Sequence, residues 1–410
     1  MILDHAAAAA LAARPGIDRL LAVLDRDGEE TRIVGGAVRN ALIGRPVHEI
    51  DLATTARPKD TMRRTGRAGF KTAPTGIEHG TVTVVVDGMP FEVTTLREDL
   101  DTDGRHAVVR FGRDFAADAQ RRDFTINALS LARNGAVQDY TNGLADLAAG
   151  RVRFIGEPLG RIREDYLRIL RFFRFQAEYG VGPIDPVGLD AAIRGREGLA
   201  RLSRERIRAE FLKLLAASRA VETAGLLQHA GLLGRLVSAV GDGGRLARAA
   251  AAGADGVGRL AAFLVRTAGD AQRLREELRL SNAEHDRLSV YAVALLRLVS
   301  RTEPVDAAEA RRLVVTLGVE AVRDAMAAVA GEPRPTLTED GRALLARYLS
   351  GSEPRPRFPL TGADLVRQGV PPGPEVGRRL AEARQAWIEA GCEDEASLAR
   401  GVIAPPRSIT

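Results

Sequence analysis

Hydrophobic periodicity changes character once along this 410-residue chain, and that change limits it to a mixed front part joined to a helical rear. Between about residues 31 and 140, short apolar runs alternate with turn formers: Thr31–Val34, Ile50–Ala53, Thr81–Val86 and Phe91–Leu96, with Asp87-Gly88 as a hairpin signal. From about residue 157 the spacing is helical, as in Tyr166-Leu170-Phe173 and Ile207-Phe211-Leu215. The expected fold class is α+β in front and all-α behind. Gly241–Gly258, Gly331–Asp340 and the proline-dense Gly351–Pro359 read as boundaries or loops. The 45% hydrophobic and 28% charged content excludes a disordered chain, and no apolar run is long enough for a membrane helix. No basic segment precedes Ala6–Ala13, which reads as the start of a surface helix and not as an export signal. A single cysteine, Cys392, excludes a disulfide framework and a cysteine-based zinc site, so a cytoplasmic address is expected.

Basic residues outnumber acidic ones by 59 to 54, a net of +5 that is too mild to argue for nucleic acid by itself. Only three of the 59 are lysines, so position decides which arginines have a task. The first candidate site is Ile33–Leu42, where an apolar strand meets Gly35-Gly36 and then a helix, so that backbone N–H groups and Arg39 can face an anion. In His48-Glu49-Ile50-Asp51-Leu52, read as a strand, Glu49 and Asp51 project together while Ile50 and Leu52 enter the core. Two carboxylates on one face call for a hard divalent cation, typically magnesium with a nucleoside triphosphate. Glu92, between the apolar Phe91 and Val93, is a third candidate carboxylate. Arg121-Arg122-Asp123 before Phe124–Leu129 suits a triphosphate tail, with Asp123 fixing an arginine rotamer. Read as one helix, Glu164–Phe175 brings Asp165, Arg168 and Arg171 into one arc, where acceptor and donors together can read the edge of a base.

In this order the glycine turn, the carboxylate pair, Arg121–Leu129 and Glu164–Phe175 resemble the class II tRNA nucleotidyltransferase and bacterial poly(A) polymerase family. The resemblance runs from Ile33 to about Leu215, includes Pro74–Thr83 and Leu202–Ile207, and extends to Leu360–Leu365 and Gly369–Gly373, which look like the tail of CCA-adding members. It implies a polymerase-β-like palm beginning near residue 30 within a nucleotidyltransferase head at 1–150. Behind it come a helical neck at 151–258 for nucleotide recognition and RNA binding, a body at 259–335 and a tail at 336–410. By the same resemblance Glu49 and Asp51 hold magnesium, two ions taking part, and Glu92 matches the third acidic position. Gly35, Gly36, Arg39 and Arg122 contact the nucleotide, Asp165 and Arg168 select the base, and Arg171 and Arg174 hold the triphosphate or the base-side geometry. The implied partners are CTP, ATP and the acceptor end of tRNA, with no membrane and no obligate protein partner.

Two positions depart from the family pattern. Glu49 stands where the pattern has Asp, and Asn40 where it often has Asp, the latter bearing on the orientation of Arg39. Arg97–Arg105 looks like the family's flexible loop, or a plain surface loop. Arg204, Arg206 and Arg208 suit RNA phosphates or a solvated helix face. His285-Asp286 reads as a helix-surface pair, and Trp387 and Cys392 as tail packing. The alternatives to CCA addition are polyadenylation, addition of A or C alone, and a catalytically silent RNA-binding relative.

Overall fold

The computed structural model describes residues 1–102, 107–332 and 337–392. The chain divides into two compact units, Met1–Leu236 and Val237–Thr410.

In the first unit the four expected strands form, two at the expected bounds, β1 (Thr31–Val34) and β4 (Thr81–Val86), and two with shifted ends, β2 (Asp51–Thr54) and β5 (Met89–Thr95). Joining them without having been expected are β3 (Lys71–Gly76), β6 (Arg97–Thr102), β7 (Ala107–Phe111), β8 (Ser130–Leu131) and β9 (Val137–Gln138). Seven of them make one sheet in the order β3-β4-β5-β2-β1-β8-β9. Asp87 and Gly88 both have positive φ, 52° and 81°, the geometry that closes a tight β4–β5 hairpin. In this otherwise antiparallel sheet β2 and β5 pair in parallel, and their register sets Asp51 opposite Glu92. The Arg97–Arg105 segment is not simply a loop: Arg97–Thr102 is strand β6, paired with β7 in a separate two-stranded sheet, and residues 103–106 lie outside the described residues.

One aromatic cluster fastens the sheet to the helices that follow. Phe124 stands 4.9 Å from Phe154 and 5.2 Å from Phe175, and Phe154 stands 5.1 Å from Phe172, ring centre to ring centre. Each buried ring contributes about 1.5–3 kcal/mol. The helix Leu167–Tyr179 therefore turns Phe172, Phe173 and Phe175 inward and leaves Arg168, Arg171 and Arg174 along its other side. Glu164–Phe175 is not one continuous helix, contrary to the sequence reading. The helix Pro158–Glu164 ends at Asp165, which is extended at φ −152° and ψ 109°, and the Asp165 carboxylate accepts from the Leu167 N–H at 3.0 Å. Aspartate caps a helix better than it continues one, so the chain breaks and restarts there. The Ala-rich start is a helix, His5–Ala12, but not wholly a surface one: Ala8, Leu11 and Ala12 are buried.

The second unit is helical throughout its described residues apart from connections. Gly241–Gly258, expected as a boundary, instead contains the helix Gly243–Ala251 and the start of Gly256–Leu264, because Asp242 and Asp255 cap them through the N–H groups of Arg245 and Gly258. Buried Leu260, Phe263, Leu288, Tyr291 and Val322 form much of its core. Arg287 joins Asp255 at 2.7 Å and the buried Asp324 at 2.8 Å. His285 and Asp286 lie on the first turn of the helix Asn282–Val299, with Asp286 exposed. Trp387 and Cys392 pack together, Trp387 against Phe358, as expected of the tail.

In the first unit, Gly198 lets the backbone lie flat on the Tyr166 ring: a Cβ there would sit 1.9 Å from a ring carbon. Gly198→Ala is expected to destabilise the chain by about 1–3 kcal/mol, read from the urea midpoint, because Tyr166 must leave its place beside Asp165.

Candidate active site

The glycine turn begins where β1 ends. Gly35 takes φ 70° and ψ −127°, a conformation that favours glycine, and its N–H donates to the Leu129 carbonyl at 3.0 Å. The space a Cβ would fill is occupied by the Arg122 guanidinium, 3.0 Å away, and Arg39 approaches Gly36 within 3.5 Å of the equivalent point. Arg122 is held by Asp118 at 3.2 Å and by the Asn127 carbonyl at 3.4 Å. Its side chain keeps 26% of its surface open, so it can still meet a ligand over the turn.

Arg39, expected to contact the nucleotide, points inward. It is buried and donates to the side chains of Asn127 and Asn40 and, at 2.7 Å, to the Tyr179 hydroxyl. Burial holds its pKa below the ordinary arginine value, against the raising effect of Tyr179 and Glu178. Asn40 does orient Arg39, as its departure from the family pattern suggested. Asn127 continues the chain by donating to Asp123 at 3.0 Å, and Asp123 accepts from Arg171 at 2.8 and 2.5 Å. Burial raises the pKa of Asp123, but Arg171 and the hydrogen bonds from Asn127 and Phe124 outweigh it and hold the carboxyl below its ordinary range. Beyond Arg171 stands the buried Glu210, 3.8 Å away, which accepts from Arg174 at 2.6 Å.

Asp165 and Arg168 do not pair with each other. Asp165 accepts from Arg206 at 2.7 Å, while Arg168 donates to the Arg161 carbonyl at 2.8 Å and to Glu164. Arg161 in turn donates to the carbonyls of Arg121 and Arg122, which ties the helix Pro158–Glu164 to the arginine pair. Arg206 thus has a definite partner, Asp165.

The three carboxylates line a second area. Glu49 is not in the strand as expected: β2 starts at Asp51, and Glu49 lies exposed in the irregular segment before it. Ile50 is only half-buried, whereas Leu52 enters the core. Glu49, Asp51 and Glu92 nevertheless line one cavity of about 480 Å³, with His48, Thr83 and Met89. A larger cavity of about 670 Å³, between Tyr140, Arg153 and Asp185, contains none of the expected site residues, so the chemistry selects the smaller one. Loss of solvent and then Glu92 push the Asp51 carboxyl above its usual pKa, Arg122 pulls the other way, and Glu49 adds to the rise. Hard oxygens with no hydrogen-bonded cation among the described residues fit a divalent cation, although no closed cage of three or more ligands forms among those residues.

Sequence reasoning passed over Asn127, Tyr179, Arg161 and Glu210. Glu210 had a signal: it interrupts the buried stripe Ile207-Phe211-Leu214 of the helix Arg204–Ala216, and a carboxylate in such a stripe needs a cation.

Residues 31–153 match the family model of the poly A polymerase head domain, and residues 184–240 that of the probable RNA and SrmB-binding site of polymerase A. The mitochondrial CCA tRNA nucleotidyltransferase 1 of Danio rerio is 36% identical over 394 residues, 91% of this chain and 86% of that protein. This chain belongs to the CCA-adding tRNA nucleotidyltransferase family. The CCA-adding enzyme of Lacticaseibacillus paracasei, another relative, is 31% identical over 405 residues and 92% of each chain. The crystal structure of the Bacillus stearothermophilus CCA-adding enzyme in complex with CTP superposes with a TM-score of 0.70 at 28% identity, covering 92% of this chain and 94% of that one. Membership accounts for the motif order on the sheet and on the helix Leu167–Tyr179. No helix among the described residues is long and apolar enough to cross a membrane.

Asp123→Asn removes the charge opposite a largely enclosed Arg171, and a loss of about 3 kcal/mol is expected near neutral pH. Because the pKa of Asp123 is depressed in the folded protein, its contribution is present above the unfolded value and lost as pH falls through the folded one. The stability gap between wild type and Asp123→Asn, measured by urea titration, should therefore shrink below about pH 4.

Proposed function

We propose that this protein adds CCA to the 3′ end of tRNA from CTP and ATP, without a nucleic-acid template, releasing pyrophosphate at each step. The observation that carries the reading is the register of β2 on β5, which sets Asp51 opposite Glu92 in a cavity that Glu49 also lines. Magnesium is the cation we assign to Glu49 and Asp51, in a two-ion arrangement. When bound, it supplies positive charge that makes the attacking hydroxyl more acidic and stabilises the leaving pyrophosphate.

The residues of this chain do the rest. The turn at Gly35 and Gly36 brings backbone and the Arg122 guanidinium to the triphosphate. The tRNA 3′-oxygen forms a bond to the α-phosphorus as the α–β bridging bond breaks, and Glu92 accepts the hydroxyl proton. Arg171, with its rotamer fixed by Asp123, meets the base side of the nucleotide, and Arg174 braces it through Glu210. Asp165 accepts from the exocyclic amine common to C and A, and Arg168 donates to a ring acceptor, an order of groups that U and G do not present. Each must exchange its present partner, Arg206 for Asp165 and Glu164 for Arg168, when a nucleotide arrives. We place the catalytic head at 1–150, the neck at 151–258, the body at 259–335 and the tail at 336–410, and the enzyme in the cytoplasm.

The decisive assay supplies purified protein and magnesium with tRNA ending at the discriminator base, -C or -CC, and resolves products at single nucleotides. Three additions and a stop are expected; a long ladder identifies polyadenylation, and no extension a silent binder. Glu49→Ala is expected to abolish turnover and Glu49→Asp to keep or raise it; an unchanged rate in Glu49→Ala removes Glu49 from the site. Arg168→Ala should lose the preference for CTP and ATP over UTP and GTP, and retained discrimination refutes its assignment.

A further inference from the structure

The irregular segment that carries Glu49 is tied down at a point where the mechanism has no use for a hydrogen bond. Asn40, on the helix Gly36–Leu42, uses both ends of its amide. Its oxygen accepts from Arg39 at 3.0 and 3.2 Å and from the Tyr179 hydroxyl at 3.3 Å. Its nitrogen donates to the Pro46 carbonyl at 3.2 Å. Three donors on one side and a carbonyl on the other fix which way the amide faces. The next residue back, Arg45, donates to the Glu178 carbonyl at 2.7 Å and lies over the Tyr179 ring at 4.7 Å. Tyr179 is itself buried, with Arg39 3.9 Å over its ring. Between the tie at Pro46 and the first strand residue, Asp51, only four residues remain, and Glu49 is one of them.

We infer that Asn40 is a positioning residue for Glu49, and that the helix Leu167–Tyr179 sets the reach of that carboxylate through Tyr179, Arg45 and Asn40. An aspartate at position 40 would keep every acceptor contact and lose the donor to Pro46, placing a carboxylate oxygen against a carbonyl oxygen. The segment would then move from its tie, and the side-chain length suited to position 49 would change with it. Asn40 and Glu49, the two departures from the family pattern, are on this account one adjustment: the amide holds the segment where the longer carboxylate reaches the cavity. The inference rests on the reading of Glu49 as a cation ligand.

The test is a double-mutant cycle on the full-length protein with Asn40→Asp, Glu49→Asp and their combination, assayed by single-nucleotide extension of tRNA with CTP over a magnesium titration. Asn40→Asp should lower kcat by about tenfold with KM for CTP within about twofold, and raise the magnesium concentration at half-maximal rate. The fold-change caused by Glu49→Asp should differ by about fivefold or more between the two backgrounds. Apart from turnover, the rise in melting temperature that magnesium gives in the presence of CTP should be smaller in Asn40→Asp at each magnesium concentration. The same Glu49→Asp fold-change in both backgrounds, or an unaltered magnesium response, overturns the coupling. If Asn40→Asp is poorly folded, Arg45→Gln cuts the neighbouring tie and is read by the same two criteria. Failure of the underlying reading is distinct: full turnover in Glu49→Ala would dismiss Glu49 whatever Asn40 does.

Discussion

A buried carboxylate between arginines from distant parts of the chain is the interaction on which the first unit depends. Asp123 faces Arg171 directly and Arg39 through Asn127, and Glu210 repeats the arrangement between Arg171 and Arg174. Charges taken this far from water persist only in pairs, so removing any member leaves its neighbour exposed to the full desolvation penalty. The relay therefore decides which arginines remain open to a ligand. Arg171 and Arg122 keep 30% and 26% of their side-chain surface, Arg174 only 12%, and Arg39 is closed off. Open guanidiniums with fixed rotamers are suited to bind; closed ones hold them in place.

The carboxylate cavity follows the opposite rule. Glu49, Asp51 and Glu92 have no hydrogen-bonded cation among the described residues, although arginine is by far the commonest basic residue of the chain. Elsewhere in the same unit even a fully buried aspartate, Asp146, stands beside both Arg151 and Arg153. Apart from the pull of Arg122 on Asp51, neutralising charge is withheld from these three carboxylates, where an exchangeable ion can supply it.

What could be read without coordinates was what period and turn chemistry encode. β1, β4, β5, the Asp87-Gly88 turn and the helical rear were all legible because alternation and 3.6-residue spacing are local properties. Glu49 was misplaced because a carboxylate two residues from another looks like a strand partner, whereas the segment after Pro46, whose carbonyl accepts from Asn40, stays irregular until Asp51. Asp165 was misplaced because the apolar stripe continues past it, while capping, a single hydrogen bond, breaks the helix. Arg39 and Arg122 have the same residue type beside the same glycine turn, yet one is enclosed and the other open. That difference is made by Tyr179, 140 residues away from Arg39, and no local pattern announces it.

The same 140-residue separation has a consequence for how the protein comes into being. A chain leaving the ribosome carries Glu49, Asp51 and Glu92 long before Tyr179 and Glu210 exist, so the acidic residues come first, while Arg39 still lacks Tyr179 and Arg174 lacks Glu210. Loops of that length close slowly, and domains generally fold as units during synthesis. Enclosure thus comes late: Arg122 finds Asp118 and Asn127 close by in the sequence, but Arg39 and Arg174 are closed off only once the chain has reached Tyr179 and Glu210.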